Sequence, residues 1–350
     1  MPEYEETYKP VLISEIKQEK KDVKSFTITP EDGQPISYLS GQFLTFVFYH
    51  HQREERRSFS ISSSPVVDEP LSFTIKRVEN GAYSRYFIDK AKVGDRLYTT
   101  GAAGLFTLPE EYASFRQIFF FAAGIGITPI YSLIKTLLHT RPDLDVVLVY
   151  SNRNIDEVVF YDELQTLALT FKSRFRIEYL FSTAFDLSRA RLNKLLLPIL
   201  INEYATVEKE KMLFYTCGPF VYMRMVIITL EELGISSSQI KKENFNTEDR
   251  TIKKIEPPDK DTHNVLLKWN GKEYHFTSQY PDTILRSAKK NNIALPYSCE
   301  IGRCGSCVAT CTKGNVWISY NEVLMESDIA KGKVLTCVGY PVNGDIVLEL

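Results

Sequence analysis

Short runs in which apolar and polar residues alternate make up the first part of the chain, from about Val11 to Leu108. Examples are the segments 25–28 (Ser-Phe-Thr-Ile) and 43–48 (Phe-Leu-Thr-Phe-Val-Phe), and turn residues separate such runs at short intervals. Successive side chains point to opposite faces of a strand, so a period of two predicts β-strands. Several short strands with turn signals between them predict a small antiparallel β-barrel.

The pattern changes after Glu110. A run of consecutive apolar residues at 118–122 predicts a buried strand, and a helix is predicted to follow and to continue through Leu138. Thr128 is placed to cap that helix, and Pro129 falls in its first turn. The strand is therefore predicted to run into the N-terminus of the helix through a short glycine-containing loop.

Two further strands follow in the same alternating arrangement, at 146–150 and 212–216. The helix after the second strand is predicted to end at Leu233, with Gly234 as its C-cap. Strands that alternate with helices predict a doubly wound parallel sheet for the stretch 115–245. Ligands of such sheets bind at the carboxyl ends of the strands.

The C-terminal part returns to strand patterns. Asn270-Gly271 lies between alternating runs at 265–269 and 272–276, which is the strongest short hairpin signal in a sequence. A helix is predicted at about 283–291, and a final strand at 346–350. These elements predict a small α+β domain.

A polar stretch at 246–262, which contains Pro257-Pro258, separates this domain from the preceding one and predicts a linker. The changes of pattern divide the chain into 1–110, 111–247, a linker at 248–262, and 263–350. The predicted fold class is therefore multidomain, with an antiparallel barrel, a doubly wound α/β domain and an α+β domain.

Composition narrows the functional classes. The net charge of −2 gives no reason to expect nucleic acid or an anionic membrane as a partner. The segment 118–134 carries no charge, but Gly124, Gly126 and Pro129 near its middle favour a strand and helix over a membrane span. The acidic segment 1–6 has no apolar run, so no secretory signal is predicted and a cytoplasmic location is expected.

Cysteine spacing gives the sharpest chemical signal. Cys299, Cys304 and Cys307 have C-x4-C-x2-C spacing, and Cys337 supplies a fourth thiol from a distant segment. This is the spacing of plant-type [2Fe–2S] clusters, whose irons take two thiolates each. Gly302 and Gly305 would let the loop wrap closely around such a cluster, because glycine tolerates positive φ. We predict that these four cysteines are the cluster ligands.

Two other readings of these cysteines are zinc ligation and reduced structural thiols. A zinc site usually pairs two C-x2–4-C hooks, and no cysteine or histidine lies near Cys337 in the sequence to form the second hook. Cys311 extends the run but lacks the proline that follows the last cysteine of bacterial cluster motifs. We expect Cys311 to point away from the cluster as a small core residue.

Arg57-Ser58-Phe59-Ser60 on a predicted barrel strand, followed by Gly81-Ala82-Tyr83-Ser84 at a predicted helix start, resembles the flavin-binding domain of the ferredoxin–NADP reductase family. The resemblance implies that Arg57 neutralises the flavin pyrophosphate, that Phe59 stacks on the isoalloxazine, and that Ser60 bonds its N5 edge. The segment 81–84 would cradle the pyrophosphate with backbone N–H groups. Phe59 stands where the family usually has tyrosine. The flavin-binding set that we carry over is Arg57, Ser58, Phe59, Ser60, Lys76, Gly81, Ala82, Tyr83 and Ser84.

Gly124-Ile125-Gly126-Ile127-Thr128-Pro129 resembles the G-x-G-x-T-P loop of the NAD(P) domain of the same family. Cys217-Gly218-Pro219 matches the family's C-G-P motif, which implies that Cys217 lies near nicotinamide C4. The alternative is that Cys217 is only a buried thiol at a strand end. The nucleotide-binding set implied by the resemblance is Gly124, Gly126, Thr128, Pro129, Ser151, Arg153, Cys217, Gly218, Pro219 and Phe245, and the catalytic set is Ser60, Cys217 and Glu243.

Arg153 bears on the choice of nucleotide. The resemblance places the segment 151–153 at the adenosine ribose, where a guanidinium could pair with a 2′-phosphate. An NADH-selective site more often offers a carboxylate to the ribose hydroxyls. We therefore expect NADPH, with NADH as the alternative.

The C-terminal hairpin, helix and cysteine loop resemble the β-grasp fold of plant-type ferredoxins. The three domains in this order resemble the reductase components of multicomponent oxygenases, most closely the phenylacetyl-CoA epoxidase reductase type. Phthalate dioxygenase reductase shares the order but carries FMN, so FAD is the expected flavin and FMN the alternative. Plant ferredoxins are strongly acidic, whereas Lys289, Lys290, Arg303, Lys331 and Lys333 balance the carboxylates here.

The resemblance implies a reductase that passes electrons from NAD(P)H through FAD and the cluster to a partner oxygenase. A hydride carries two electrons and a [2Fe–2S] cluster accepts one, so a flavin must stand between them. Two alternatives are a general reductase that serves soluble one-electron carriers and a non-catalytic redox sensor. Fast NAD(P)H consumption with an artificial acceptor would exclude the sensor.

Overall fold

The computed structural model describes residues 8–50, 53–245 and 255–350. The chain divides into two compact units, Met1–Phe245 and Asn246–Leu350. The acidic segment 1–6 and the first part of the predicted linker, 248–254, lie outside the described residues. No helix in the described ranges has the length and apolar character needed to cross a membrane.

The first unit begins with a six-stranded antiparallel sheet in the order β4-β3-β6-β1-β2-β5. An isolated bridge between Ile61 and Phe73 joins the end of β4 to β5, so the sheet closes into the predicted barrel. Its core includes Phe26, Phe46 and Phe87, all fully buried. Its elements are β1 (Lys9–Lys20), β2 (Val23–Pro30), β3 (Phe43–His50), β4 (Arg53–Ser60), β5 (Ser72–Lys76), α1 (Ala82–Asp89) and β6 (Arg96–Ala103).

The rest of the first unit is a five-stranded parallel sheet in the order β11-β10-β7-β8-β9, which confirms the doubly wound prediction. The strand β7 is buried along its length because helices cover both faces of such a sheet. The elements are β7 (Gln117–Ala123), α2 (Ile127–Thr140), β8 (Asp145–Asn152), α3 (Tyr161–Thr170), β9 (Phe175–Phe181), α4 (Leu196–Tyr204), β10 (Met212–Cys217), α5 (Phe220–Glu232) and β11 (Ile240–Glu243).

Two predicted helix caps are wrong by one or two residues. A short 3-10 turn, Gly124–Gly126, runs directly into α2, so Gly126 precedes the helix and Thr128 already lies within it. The Thr128 hydroxyl donates to the Ile125 carbonyl at 3.0 Å instead of capping the helix. The C-cap of α5 is Leu233, and Gly234 is the next residue, with a φ of +81°. Glycine adopts this left-handed conformation without strain.

The second unit is a five-stranded mixed sheet in the order β13-β12-β16-β14-β15, which confirms the β-grasp prediction. Asn270 and Gly271 have φ values of +51° and +71°, as a type I′ hairpin turn requires, and they join Trp269 to its partner Lys272. The elements are β12 (His263–Trp269), β13 (Lys272–Ser278), α6 (Ile284–Lys290), β14 (Val308–Ile318), α7 (Glu326–Ala330), β15 (Lys333–Leu335) and β16 (Gly339–Glu349).

The described end of the predicted linker, 255–262, is attached to the second unit. Asp259 lies 2.8 Å from the Nε2 atom of His263 in β12, and it accepts a hydrogen bond from the Asn343 amide of β16 at 2.7 Å. Pro257 is buried. This part of the chain is therefore folded against the sheet.

Candidate functional site

The two loops of the predicted nucleotide site touch each other through their backbones. The strands β7 and β10 are parallel neighbours, and Ala122 pairs with Cys217 at their carboxyl ends. A Cβ atom on Gly126 would lie 2.2 Å from the Cys217 carbonyl oxygen, and one on Gly218 would lie 2.9 Å from the Cβ of Ala123. Both glycines are therefore required by close approach, and the loops after the two strands form one surface.

Two tyrosines that sequence reasoning missed hold these loops. The Tyr150 hydroxyl, at the end of β8, donates to the Gly124 carbonyl at 3.0 Å. The Tyr222 hydroxyl, in the first turn of α5, donates to the Ala122 carbonyl at 3.3 Å. At the same sheet edge the buried Ser151 hydroxyl lies beside the Tyr222 hydroxyl.

Cys217 and Glu243 are brought side by side as partners in the parallel pair β10–β11. Burial and the Glu243 charge raise the pKa of the fully buried Cys217 thiol well above its ordinary value. Burial also raises the pKa of Glu243 to about 8. Phe245 packs against the apolar cluster that contains Cys217. The environment at this corner of the sheet therefore favours the neutral forms of both groups.

Arg153 lies one residue beyond β8 with its side chain exposed. Its carbonyl oxygen accepts hydrogen bonds from the amide and hydroxyl of Thr183, at 3.1 and 2.8 Å, which fixes the backbone of the loop. Among the residues that the structure describes, no carboxylate forms an ion pair with its guanidinium. The charge is thus available to an anion at the sheet edge.

The two predicted flavin segments meet in the barrel. The Arg57 guanidinium, on β4, lies 4.9 Å from the centre of the Tyr83 ring in the first turn of α1. Arg57 also forms an ion pair with Glu55 at 3.1 Å. The first amides of a helix have no partner within it, so Arg57 and the start of α1 place positive charge and N–H donors together. That combination suits a pyrophosphate.

Phe59 lies against the aromatic core of the barrel, with its ring centre 5.4 Å from that of Phe87 and 6.1 Å from that of Phe73. It is only partly buried, so part of the ring remains accessible. Ser84 does not offer its hydroxyl to a ligand, because that group donates to the Gly81 carbonyl and accepts from the Val78 amide, each at 3.1 Å. Ser84 therefore holds this turn, and the Gly81 amide takes part in it by donating to the Val78 carbonyl at 3.0 Å. The expectation that the Gly81 amide cradles a pyrophosphate is therefore wrong, and the amides of residues 82–84 at the start of α1 remain for that role.

The remaining flavin residues are placed as follows. The Ser58 hydroxyl lies 2.9 Å from that of Thr45, Ser60 is buried at the end of β4, and Lys76 is exposed at the end of β5. Ala82 is exposed at the first position of α1.

The four predicted cluster ligands converge in the second unit. Cys337, just after β15, lies with its sulfur 3.1 Å from that of Cys307. The Cys299 amide donates to the Cys304 sulfur at 3.4 Å, and the Arg303 amide donates to the Cys299 sulfur at 3.3 Å. No three His, Cys, Asp or Glu side chains within the described ranges are positioned to hold a metal ion as they stand. Four thiols with amide donors form the donor set of a sulfide-bridged iron pair.

The shape of this loop depends on its glycines. Gly302 has a φ of +75°, and a Cβ atom there would lie 2.6 Å from the Tyr320 carbonyl oxygen. Gly305 also has a φ of +75°, and its Cβ would lie 3.0 Å from a methyl group of Val323. The loop is thus pressed against the segment 320–323, which leaves its other side for a cluster.

The thiols also influence each other's protonation. Hydrogen bonds from Cys304 and Cys337 lower the pKa of the Cys299 thiol, whereas the hydrogen bond to Cys299 and burial raise the pKa of Cys304. The pKa of the Cys337 thiol is likewise raised by its hydrogen bonds to Cys299 and Cys307 and by burial, so Cys299 is the thiol that these contacts favour as a thiolate.

Cys311 does not behave as predicted. It lies on β14 and is only partly buried, with its sulfur 3.3 Å from the Lys313 carbonyl oxygen. A break in the register between Cys311 and Lys313 opens the strand at this point. The expectation of a core residue is wrong because a bulge turns the side chain out of the regular alternation.

Basic residues near the cluster loop are neutralised within the unit. Arg303 is almost fully buried and its Nε atom lies 3.3 Å from the Glu322 carboxylate. Lys289 pairs with Glu300 at 2.9 Å, and Lys290 pairs with Asp282. Three of the five basic residues that balance the carboxylates of this domain, Lys289, Lys290 and Arg303, thus do so through ion pairs within it.

Three family models match the chain in succession. An oxidoreductase FAD-binding domain matches residues 10–108, an oxidoreductase NAD-binding domain matches residues 120–227, and a 2Fe-2S iron-sulfur cluster binding domain matches residues 267–342. The chain thus carries, in order, the FAD-binding, NAD-binding and C-terminal 2Fe-2S domains of a ferredoxin–NADP reductase-like reductase. These domain matches support FAD, NAD(P)H and a [2Fe–2S] cluster as its cofactors, as the sequence predicts.

Relatives of this reductase span nearly its whole length. The glycine betaine monooxygenase reductase subunit of Pseudomonas aeruginosa (strain UCBPP-PA14) is 28% identical to this chain. The aligned region covers 95% of this chain and 92% of that subunit. One component of the 1,2-phenylacetyl-CoA epoxidase of Escherichia coli (strain K12) is 28% identical and covers 98% of each chain.

Solved structures share the fold of this reductase. Phthalate dioxygenase reductase matches with a TM-score of 0.61 and 23% identity over 99% of each chain. An intact type IV self-sufficient cytochrome P450 monooxygenase matches with a TM-score of 0.71 and 21% identity over 98% of this chain, which spans only 41% of that protein.

Proposed function

We propose that this reductase takes a hydride from NADPH onto FAD and delivers single electrons through its [2Fe–2S] cluster to the oxygenase component of a multicomponent oxygenase. The observation that carries the proposal is the convergence of four cysteine sulfurs in a chain that also has a flavin site and a nucleotide site. FAD exchanges two electrons with a nicotinamide and one at a time with a cluster, so it connects the two carriers. The relatives' names, which include monooxygenase and epoxidase components, support an oxygenase as the acceptor.

Each group of residues in the proposed sites has its own role in binding a cofactor. Arg57 and the amides of residues 82–84 seat the FAD pyrophosphate, and Phe59 and Ser60 line the isoalloxazine. The loops at 124–129 and 217–219 seat the dinucleotide pyrophosphate and nicotinamide, with Phe245 beside them. Cys217 and Glu243 surround the nicotinamide with uncharged groups at neutral pH, since burial raises the pKa of both. The cluster is held by Cys299, Cys304, Cys307 and Cys337.

NADPH is the proposed donor because Arg153 presents a guanidinium at the edge of the sheet where the adenosine ribose would lie. A charge-assisted contact with a 2′-phosphate favours NADPH, and NADH lacks that group. Comparing kcat/KM for the two nucleotides tests the proposal, with Arg153→Ser as the variant. We expect the variant to lose preference for NADPH and to keep its rate with NADH. A wild-type preference for NADH would contradict the choice of donor.

Anaerobic reduction of the purified protein tests the electron path. Addition of NADPH should bleach the flavin absorbance first and the iron–sulfide absorbance afterwards, and an added oxygenase component should reoxidise both. Fast reduction without reoxidation by any oxygenase component, but with reoxidation by soluble carriers, would contradict the proposed partner. Protein that binds neither FAD nor iron after reconstitution would contradict the function as a whole.

A further inference from the structure

The helix α2 has a polar face that the nucleotide site does not use. Ser132, Lys135 and Thr136 lie three and four residues apart, so they share one side of the helix. Ser132 and Lys135 are buried, although the rest of the helix packs apolar residues into the core of the parallel sheet. Buried polar groups need specific partners, because leaving them unpaired is costly.

Those partners lie in the barrel, within a serine-rich segment directly after β4. The Ser132 hydroxyl donates to the Ser63 carbonyl at 2.5 Å, and the hydroxyls of Ser64 and Thr136 lie 2.7 Å apart. Thr136 also bonds Ser40. One helix face is therefore joined to the barrel by several hydrogen bonds.

An ion pair reinforces these contacts. Lys135 pairs with Glu69, which also accepts a hydrogen bond from the Ser64 amide at 2.5 Å. The Lys135 side chain is 7% exposed, and its ammonium lies 4.2 Å from the centre of the Tyr131 ring. Burial lowers the pKa of Lys135, while Glu69 opposes that effect. A lysine this deeply buried is retained as a charge only with a well-placed partner.

The chain connections make this contact a short link between the two cofactor sites. The barrel residues 63 and 64 follow the strand that carries Arg57 and Phe59, and α2 begins at the loop that contains Gly124 and Gly126. The contact thus joins the end of the flavin strand to the helix that follows the nucleotide loop. Hydride transfer requires its two reacting atoms to be held at a defined separation.

We infer that the Lys135–Glu69 ion pair and the neighbouring serine contacts position the nucleotide loop against the flavin strand for hydride transfer. Lys135 and Glu69 are positioning residues that touch neither reacting group. The inference rests on the proposed function, because it assumes that NADPH reduces FAD in this chain.

Lys135→Met and Glu69→Gln test this role, and Lys17→Met is the matched control. The control breaks the more exposed ion pair between Lys17 of β1 and Glu163 of α3, which joins the same barrel to the same sheet domain. The measurements are the rate of flavin reduction at saturating NADPH, the Kd for NADP+, the FAD content and the thermal unfolding midpoint. A tenfold change in rate corresponds to about 1.4 kcal/mol in the barrier.

We expect Lys135→Met to slow flavin reduction at least about tenfold and Glu69→Gln about threefold, with FAD content and the Kd for NADP+ near wild-type values. The Lys17→Met control should match wild type in every measurement. A lowered unfolding midpoint with an unchanged reduction rate would show a purely structural role and overturn the inference. If Lys135→Met does not fold, the milder Glu69→Gln variant decides in the same way. Failure of NADPH and NADH to reduce the wild-type flavin would instead overturn the proposed function.

Discussion

Gly126 and Cys217 are in backbone contact, since a Cβ atom at residue 126 would lie 2.2 Å from the carbonyl oxygen of residue 217. Gly126→Ala should therefore push the two nucleotide loops apart, at a cost of about 1–3 kcal/mol in the free energy of unfolding. The Kd for NADP+ should rise while FAD binding persists. Gly126 has an ordinary φ of −60°, so only the close contact opposes alanine there. Gly33→Ala is the control for stability alone, because its φ of +67° strains an alanine while no atom lies near the added methyl group. Equal effects of the two substitutions on nucleotide binding would contradict the assignment of the loops.

Arg57 has a close structural counterpart in the same barrel. Arg96 lies 5.4 Å from the centre of the Tyr98 ring and pairs with Glu31, much as Arg57 lies beside Tyr83 and pairs with Glu55. Arg57→Met should raise the FAD dissociation constant about ten- to hundredfold, because it removes a charged donor from the pyrophosphate. Arg96→Met should leave FAD binding unchanged. Flavin release followed by fluorescence measures both, and similar losses would refute the proposed pyrophosphate contact.

The pKa of Glu243, raised to about 8 by burial, predicts a pH dependence of nucleotide binding. Below this pH the carboxyl group is neutral, and above it a negative charge faces the site. An oxidised nicotinamide ring is positively charged, so wild-type affinity for NADP+ should increase, by about fivefold, as pH rises through about 8.

In the Glu243→Gln variant residue 243 cannot ionise, so the affinity for NADP+ should not increase with pH in this way. All other groups that titrate, including the 2′-phosphate, are the same in the two proteins. Equilibrium titrations with NADP+ at about pH 6.5 and about pH 9 provide the comparison. Parallel pH profiles for the two proteins would place Glu243 away from the nicotinamide.

Cys304 and Cys311 give a matched pair of cysteine substitutions in one domain. Cys304→Ser should keep NADPH oxidation with an artificial dye near the wild-type rate, because the flavin and nucleotide sites are intact. Electron delivery through the cluster, measured with cytochrome c, should fall at least about tenfold. Cys311→Ser should preserve both activities and the iron content. Equal loss of both activities in Cys304→Ser would contradict the proposed order of carriers.

The features that sequence reasoning predicted are those encoded by nearby residues. The type I′ turn at Asn270-Gly271 depends on two positive φ values, and the cysteine loop at 299–307 depends on a spacing within one segment. Both can be read from a few consecutive residues. The barrel and the parallel sheet likewise follow from periodicity within short windows.

The features that it missed depend on contacts between distant residues. Tyr222 supports a carbonyl group 100 positions earlier in the chain, and Lys135 pairs with a carboxylate 66 positions away. Neither residue belongs to a short motif. The cap predicted at Thr128 is wrong because the 3-10 turn before α2 leads into the helix without a break. The core position predicted for Cys311 is wrong because a bulge interrupts the alternation of β14.

The internal pairing of Lys289, Lys290 and Arg303 has a consequence for encounters with a partner protein. Charges that are already compensated create little field beyond a Debye length, which is about 8 Å at physiological ionic strength. Added salt should therefore change the association rate with an acceptor only slightly. Discrimination among acceptors would then depend on the fit of surfaces at close range rather than on long-range attraction.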